Sequence, residues 1–145
     1  MQFQEFLGQV QHRAQLPSMG HALAATRATL ETLGERLYGG EPSQLAAQLP
    51  REIGHFLTGG RSGPHGRGER FGVDEFITRV ALRERVELPL AAHHAQAVLG
   101  VLDAAVSPGE MAQVRTQLPD DLRRLLQGGA IVPEGIAASA ASAGF

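Results

Sequence analysis

The chain repeats itself. Glu5-Phe6-Leu7-Gly8-Gln9-Val10 returns as Glu75-Phe76-Ile77-Thr78-Arg79-Val80, and Gln48-Leu49-Pro50 returns as Gln117-Leu118-Pro119. Between these segments, Ala28-Thr29-Leu30-Glu31-Thr32-Leu33 is echoed by Ala97-Val98-Leu99-Gly100-Val101-Leu102. The offset is 70 at the first segment and 69 at the others. An internal repeat constrains a fold before any local propensity is read, because each copy must offer a similar apolar pattern to its neighbours. What recurs is apolar spacing and helix punctuation, not reactive chemistry.

A length of 145 residues suits one domain, large enough to bury about 70% of the surface of its unfolded chain. The repeats therefore read as two parts of one core. Residues 1–58 form the first copy, 59–72 a Gly/Arg-rich flexible linker, 73–127 the second copy, and 128–145 a flexible tail rich in Gly, Ala and Ser.

Helical spacing organises both copies. Phe3, Phe6, Leu7, Val10 and Ala14 share one face of a first helix that stops near Leu16-Pro17. Ser18 is placed to cap a second helix carrying Met19, Leu23, Thr26, Leu30, Leu33 and Leu37. A short helix follows from about Pro42 to Gln48, and a last one carries Ile53, Phe56 and Leu57 inward. In the second copy, Asp74 is placed to cap a helix with Phe76, Ile77, Val80 and Leu82, and the next has Ala95, Leu99, Leu102 and Val106 on one arc. Ser107-Pro108-Gly109-Glu110 has the form of a capping box. Pro119 opens the final helix, with Leu122, Leu125 and Leu126 inward. No segment alternates with a period of two, so no strands are expected. The fold class is all-α: a helical bundle of two pseudo-repeats of about four helices each, near residues 3–58 and 73–127.

These blocks resemble a known family. Arg27 to Leu37 (Arg-Ala-Thr-Leu-Glu-Thr-Leu-Gly-Glu-Arg-Leu), Leu45 to Pro50, Asp74-Glu75-Phe76, Ala97-Val98-Leu99 with Val101-Leu102, and Gln117-Leu118-Pro119 look like the prokaryotic domain of unknown function 2267 family. The resemblance covers roughly residues 3–127. It implies an all-helical bacterial protein with no established activity, and it carries over no catalytic residue.

Composition excludes several chemistries. There is no cysteine, which removes disulfides, thiolate catalysis and cysteine-containing metal motifs. There is no lysine either, which removes Schiff bases and the lysine of a Walker-type phosphate loop. A net charge of −2 gives no global attraction for nucleic acid or an anionic membrane. Without a basic start or an apolar run near the ~20 residues that span a bilayer, a cytoplasmic location is expected.

Candidate sites are few. Adjacent helical residues such as His93 and His94 point about 100° apart, so they do not grip one ion. His93 faces outward and His94 lies on the flank of its helix, where it is a candidate haem ligand. Asp120-Asp121 and the pair Glu5/Glu75 read as first-turn helix charges, Glu75 also pairing with Arg79 four residues on. Ser18, Ser43, Ser62 and Ser107 lack a nucleophile elbow. Arg61, His65, Arg67 and Arg70 lie among glycines whose bare amides suit phosphate or carboxylate, making them a candidate anion site. Gln48, Leu49, Gln117 and Leu118, at the two Gln-Leu-Pro elbows, are candidate walls of a groove for a partner's helix.

The leading expectation is a non-enzymatic cytoplasmic interaction or regulatory module. Its partner would be another protein or a second copy, with no cofactor, catalytic residue, metal or membrane and with nucleic acid disfavoured. The alternatives are a small-molecule or haem binder with a pocket between the repeats, and an anion or RNA contact through the Arg/Gly linker.

Overall fold

Phe6, Leu7, Val10 and Ala14 recur every three or four residues, and helix α1 (Phe3–Ala14) buries all four. The same logic builds α2 (Met19–Arg36), where Ser18 Oγ accepts a hydrogen bond from the His21 amide at 3.2 Å and caps the helix. Two short helices follow, α3 (Glu41–Ala46) and α4 (Arg51–Thr58), on either side of the Leu49-Pro50 break. Then come α5 (Val73–Glu84), α6 (Leu88–Ala105), α7 (Pro108–Thr116) and α8 (Asp120–Leu126). The computed structural model describes residues 1–61 and 63–128. The expected tail at 128–145, beyond Gly128, lies outside the described residues.

An all-α bundle is what forms. Its long helices α2 and α6 hold the centre, α1 packs on both, and α5 packs on both. One buried cluster draws from all eight described helices: Phe6, Leu30, Leu45 and Ile53 meet Phe76, Leu99, Met111 and Leu125. Helices α1 and α5 each run 12 residues, and α2 and α6 each run 18. Both 12-residue helices close on a non-glycine residue in the left-handed region, Gln15 at φ 55° and Arg85 at φ 63°.

Close helix approach depends on Gly34. A Cβ there would stand 2.3 Å from the Leu57 carbonyl oxygen, so only glycine lets α2 and α4 meet at this distance.

Four expectations need correction. Leu82 is not inward but 74% exposed, because it follows the buried Val80 and Ala81 around the α5 surface. Helix α5 begins one residue before Asp74, and its first amide, Val73 N–H, donates instead to Asp121 Oδ2 at 3.0 Å. Ser107 caps α7 through the Glu110 amide as expected, but the return half of the box is supplied by Gln48, whose Oε1 accepts the Ser107 amide at 2.7 Å. Strands are not wholly absent: Tyr38–Gly39 (β1) pairs antiparallel with Gly66–Arg67 (β2), Tyr38 opposite Arg67 and Gly39 opposite Gly66.

That pairing changes the linker. A Cβ on Gly66 would lie 2.6 Å from the Tyr38 carbonyl carbon, so glycine is what permits the approach. Beyond it, Gly68 N–H donates to Leu37 O at 2.9 Å and Glu69 N–H to Glu35 O at 3.0 Å. Backbone bonds thus strap residues 66–69 against the C-terminal end of α2, where a free linker was expected.

Candidate functional site

Residues 59–72 border three clefts: one of about 550 Å³ beside Arg70, Phe71 and Arg79, and two others that share Arg67. The larger of these two, about 500 Å³, lies between α2, α4 and the linker and is bordered by Arg27, Arg61, Arg67 and Arg83, by His55 and His65, and by Glu31 and Glu35. The smaller, about 420 Å³, is bordered by Arg36, Tyr38, Arg67, Arg70, Thr116 and Gln117. Arg61, His65 and Arg67, expected together, share the larger, while Arg70 falls in the smaller.

Glutamates orient most of these arginines. Arg83 grips Glu35 bidentately at 2.6 and 2.8 Å, and Arg79 adds a bond to the same carboxylate at 3.0 Å. Burial alone would raise the Glu35 pKa, but the two guanidinium groups overcome it and hold the carboxyl below its ordinary value. Arg79 also reaches Glu69 at 3.1 Å and its expected partner Glu75 at 3.0 Å, and it stacks over the Phe71 ring at 4.1 Å. Arg67 forms an ion pair with Glu69 at 3.0 Å, and Arg27 hydrogen-bonds Glu31 at 3.1 Å. Arg61 is exposed and has no carboxylate partner among the described residues, so it offers an uncommitted charge at the cleft edge. In the smaller cleft Arg36 donates to Phe71 O at 2.9 Å. Burial and the neighbouring charge of Arg70 lower the Arg36 pKa, against the opposing pull of Asp121. The lining residues of this cleft include no carboxylate.

The elbow residues turn inward and sideways rather than forming a free groove. Leu49 and Leu118 are 9% and 4% exposed, both members of the core. Gln48 reaches from the first half to the α7 start, bonding the Ser107 amide and, through Nε2, Ser107 Oγ at 3.3 Å and Glu110 Oε1 at 3.4 Å. Gln117 reaches the other way, its Oε1 accepting the Tyr38 amide at 3.0 Å. Each glutamine spans the two halves, and each clamps the segment leading into the other half's short helix.

Between these clamps lies a pair that the sequence reading missed. Glu41 on α3 is only 5% exposed, and burial first, then Glu110 on α7, raise its pKa to about 8; the Oε2 atoms of both are buried without a hydrogen-bond partner among the described residues. Glu110 follows Glu41 by 69 positions, as Gln117 follows Gln48 and Ser107 follows Tyr38. The signal was therefore available: the repeat offset applied to Glu110 lands on Glu41.

His94 is enclosed rather than on a flank. Its Nδ1–H donates to Glu84 Oε2, and the two side chains are 7% and 5% exposed. That bond occupies one ring nitrogen, and none of the clefts described above includes His94. His93 is exposed as expected, with Nε2 3.3 Å from Ala14 O. Among the described residues no group of three or more His, Cys, Asp or Glu side chains is arranged to hold a metal ion, and no helix is long and apolar enough to cross a membrane.

An all-helical chain of this order, with arginine-lined clefts and no assembled reactive centre among the described residues, belongs to the class of small helical bundle proteins. Residues 3–125 match the family model described as Uncharacterized conserved protein (DUF2267), and the chain belongs to that family. No curated protein matches it.

Proposed function

We propose that this protein is a non-enzymatic interaction module that receives an acidic segment of a partner protein along the two arginine-lined clefts that share Arg67. The observation that carries the reading is the cleft of about 500 Å³ in which Arg61 faces solvent without a carboxylate partner among the described residues, beside arginines already oriented by glutamates. Pre-oriented guanidinium groups recognise carboxylates with little further ordering cost. Arg67 borders both clefts, so an extended segment suits the surface better than one small anion. Single-stranded nucleic acid fits less well. Besides His55 and His65, the rings lining the two clefts are Phe56 in one and Tyr38 in the other, too few for a ladder of stacked bases.

The same reading takes the halves as copies of one unit folded about an approximate twofold axis. Matched lengths of the long helices, the left-handed caps at Gln15 and Arg85, and the reciprocal glutamine clamps support it. A cytoplasmic setting belongs to this proposal, and the cysteine-free composition is compatible with it.

The test is a titration of the full chain with a fluorescent Asp/Glu-rich peptide and, separately, with single-stranded RNA of equal length. Peptide binding that weakens at least tenfold in an Arg61→Ala/Arg70→Ala variant, and weakens with salt as exposed charges are screened beyond about 8 Å, supports the reading. Tight RNA binding with none to the peptide overturns it, as does peptide binding that the double variant leaves unchanged.

A further inference from the structure

We propose that Glu41 and Glu110 share one proton and together form a pH-operated latch between α3 and α7. Helices α3 and α7 pack on each other, and there Glu41 is 5% exposed while Glu41 Oε2 and Glu110 Oε2 are both buried with no hydrogen-bond partner among the described residues. The hydrogen bond that reaches the pair from outside comes from a neutral group, Gln48 Nε2, which donates to Glu110 Oε1 at 3.4 Å.

Among the described residues no cation offsets the pair. Helix α3 packs on α4, α7 and β1. On α4, Arg51, Glu52 and His55 are solvent-exposed, and β1 contributes only the exposed Tyr38. On α7, Arg115 is directed to Asp103 at 3.8 Å. The ionisable group that acts on Glu41 is Glu110 alone. Two carboxylates with buried, unpartnered oxygens on packed helices cannot both ionise cheaply, so Glu41 holds its proton well above the ordinary carboxylate range. Burial first, and then Glu110, push Glu41 up to about 8.

The latch sits where the halves meet. Protonated, it joins helices whose Leu45, Met111 and Val114 are buried in the common core. Loss of the proton places two negative charges in that contact and drives α3 from α7. The consequence reaches the clamps on either side, since Gln48 bonds Glu110 directly and Gln117 holds the Tyr38 amide just before α3. Because Tyr38 and Gln117 also border the smaller cleft, its shape becomes linked to the proton. The latch does not depend on what that cleft binds.

The experiment follows the side-chain carboxyl carbons of the ¹³C-glutamate-labelled full chain by NMR from pH 4 to pH 10. Amide exchange, corrected for its intrinsic pH dependence, is measured on the same samples. The expected result is one carboxyl of the pair titrating near 8, with protection of α3 and α7 amides falling at least tenfold across that step while α1 and α6 amides hold. Glu41→Gln, an isosteric neutral replacement that still donates to Glu110, is expected to abolish the fall. Ordinary titration of both carboxyls near 4.5 overturns the proposal without any variant. An unaltered α3/α7 exchange profile in Glu41→Gln, or no fall in the wild-type chain, does so as well.

Discussion

Gln48 Oε1 accepts the Ser107 amide at 2.7 Å, a bond that joins the end of one short helix to the start of another 59 residues away. Gln117 makes the reciprocal bond to the Tyr38 amide at 3.0 Å. Gln48→Ala and Gln117→Ala should each lower stability by about 1 kcal/mol, the net worth of an exposed amide hydrogen bond. The sites share no partner, so the double variant should lose about the sum. Urea denaturation with an unchanged m-value checks both figures.

Gly34 is a sharper test of packing. Gly34→Ala sets a methyl group 2.3 Å from the Leu57 carbonyl oxygen, and that atom is backbone, which cannot rotate aside. The expected loss is about 3 kcal/mol or more, despite alanine's better helix propensity. A midpoint unchanged in thermal or urea denaturation would show that α4 shifts freely.

Glu35 and Glu41 predict opposite pH limbs. Glu35 titrates below its ordinary value because Arg83 and Arg79 overcome its burial, so its stabilisation is complete above about pH 4.5 and is lost as pH falls through the lowered value. Glu41 is raised from 4.5 to about 8, so its contribution is complete below 4.5 and is lost as pH rises to 8. The melting temperature should therefore peak in mildly acidic solution. Glu35→Gln should flatten the acid limb, and Glu41→Gln the alkaline one.

His94 and Glu84 form an enclosed pair whose single and double replacements should differ. His94→Leu strands the Glu84 carboxyl in a site where its side chain is 5% exposed, and should cost about 3–5 kcal/mol. His94→Leu/Glu84→Leu removes both polar groups and should recover most of that loss. Equal stability of the two variants in calorimetry would mean that Glu84 finds water when His94 is gone.

Much of this was legible along the chain. Period-three-and-four spacing named the buried faces of α1, α2, α5 and α6, since a helix must turn its apolar stripe to the core whatever its neighbours are. Ser18 and Ser107 announced helix starts because a cap bonds within its own first turn. Leu82 misled because a helical apolar position at the edge of a stripe is inside or outside according to what packs there. His94 misled similarly: the flank of α6 becomes interior only because Glu84 on α5 closes over it.

Sequence alone thus determined the helices, their order and most of the core, all of which depend on residues within a few turns of each other. Tertiary structure decided which polar groups meet. Gln48 with Ser107, Gln117 with Tyr38, and Glu41 with Glu110 are each separated by at least 59 positions, and no local rule joins them. The same holds for the linker, whose glycines signalled freedom but whose backbone hydrogen bonds fasten it to α2. The repeat offset related Glu41 to Glu110, but only the packing of α3 on α7 brought the two carboxyl-bearing helices together.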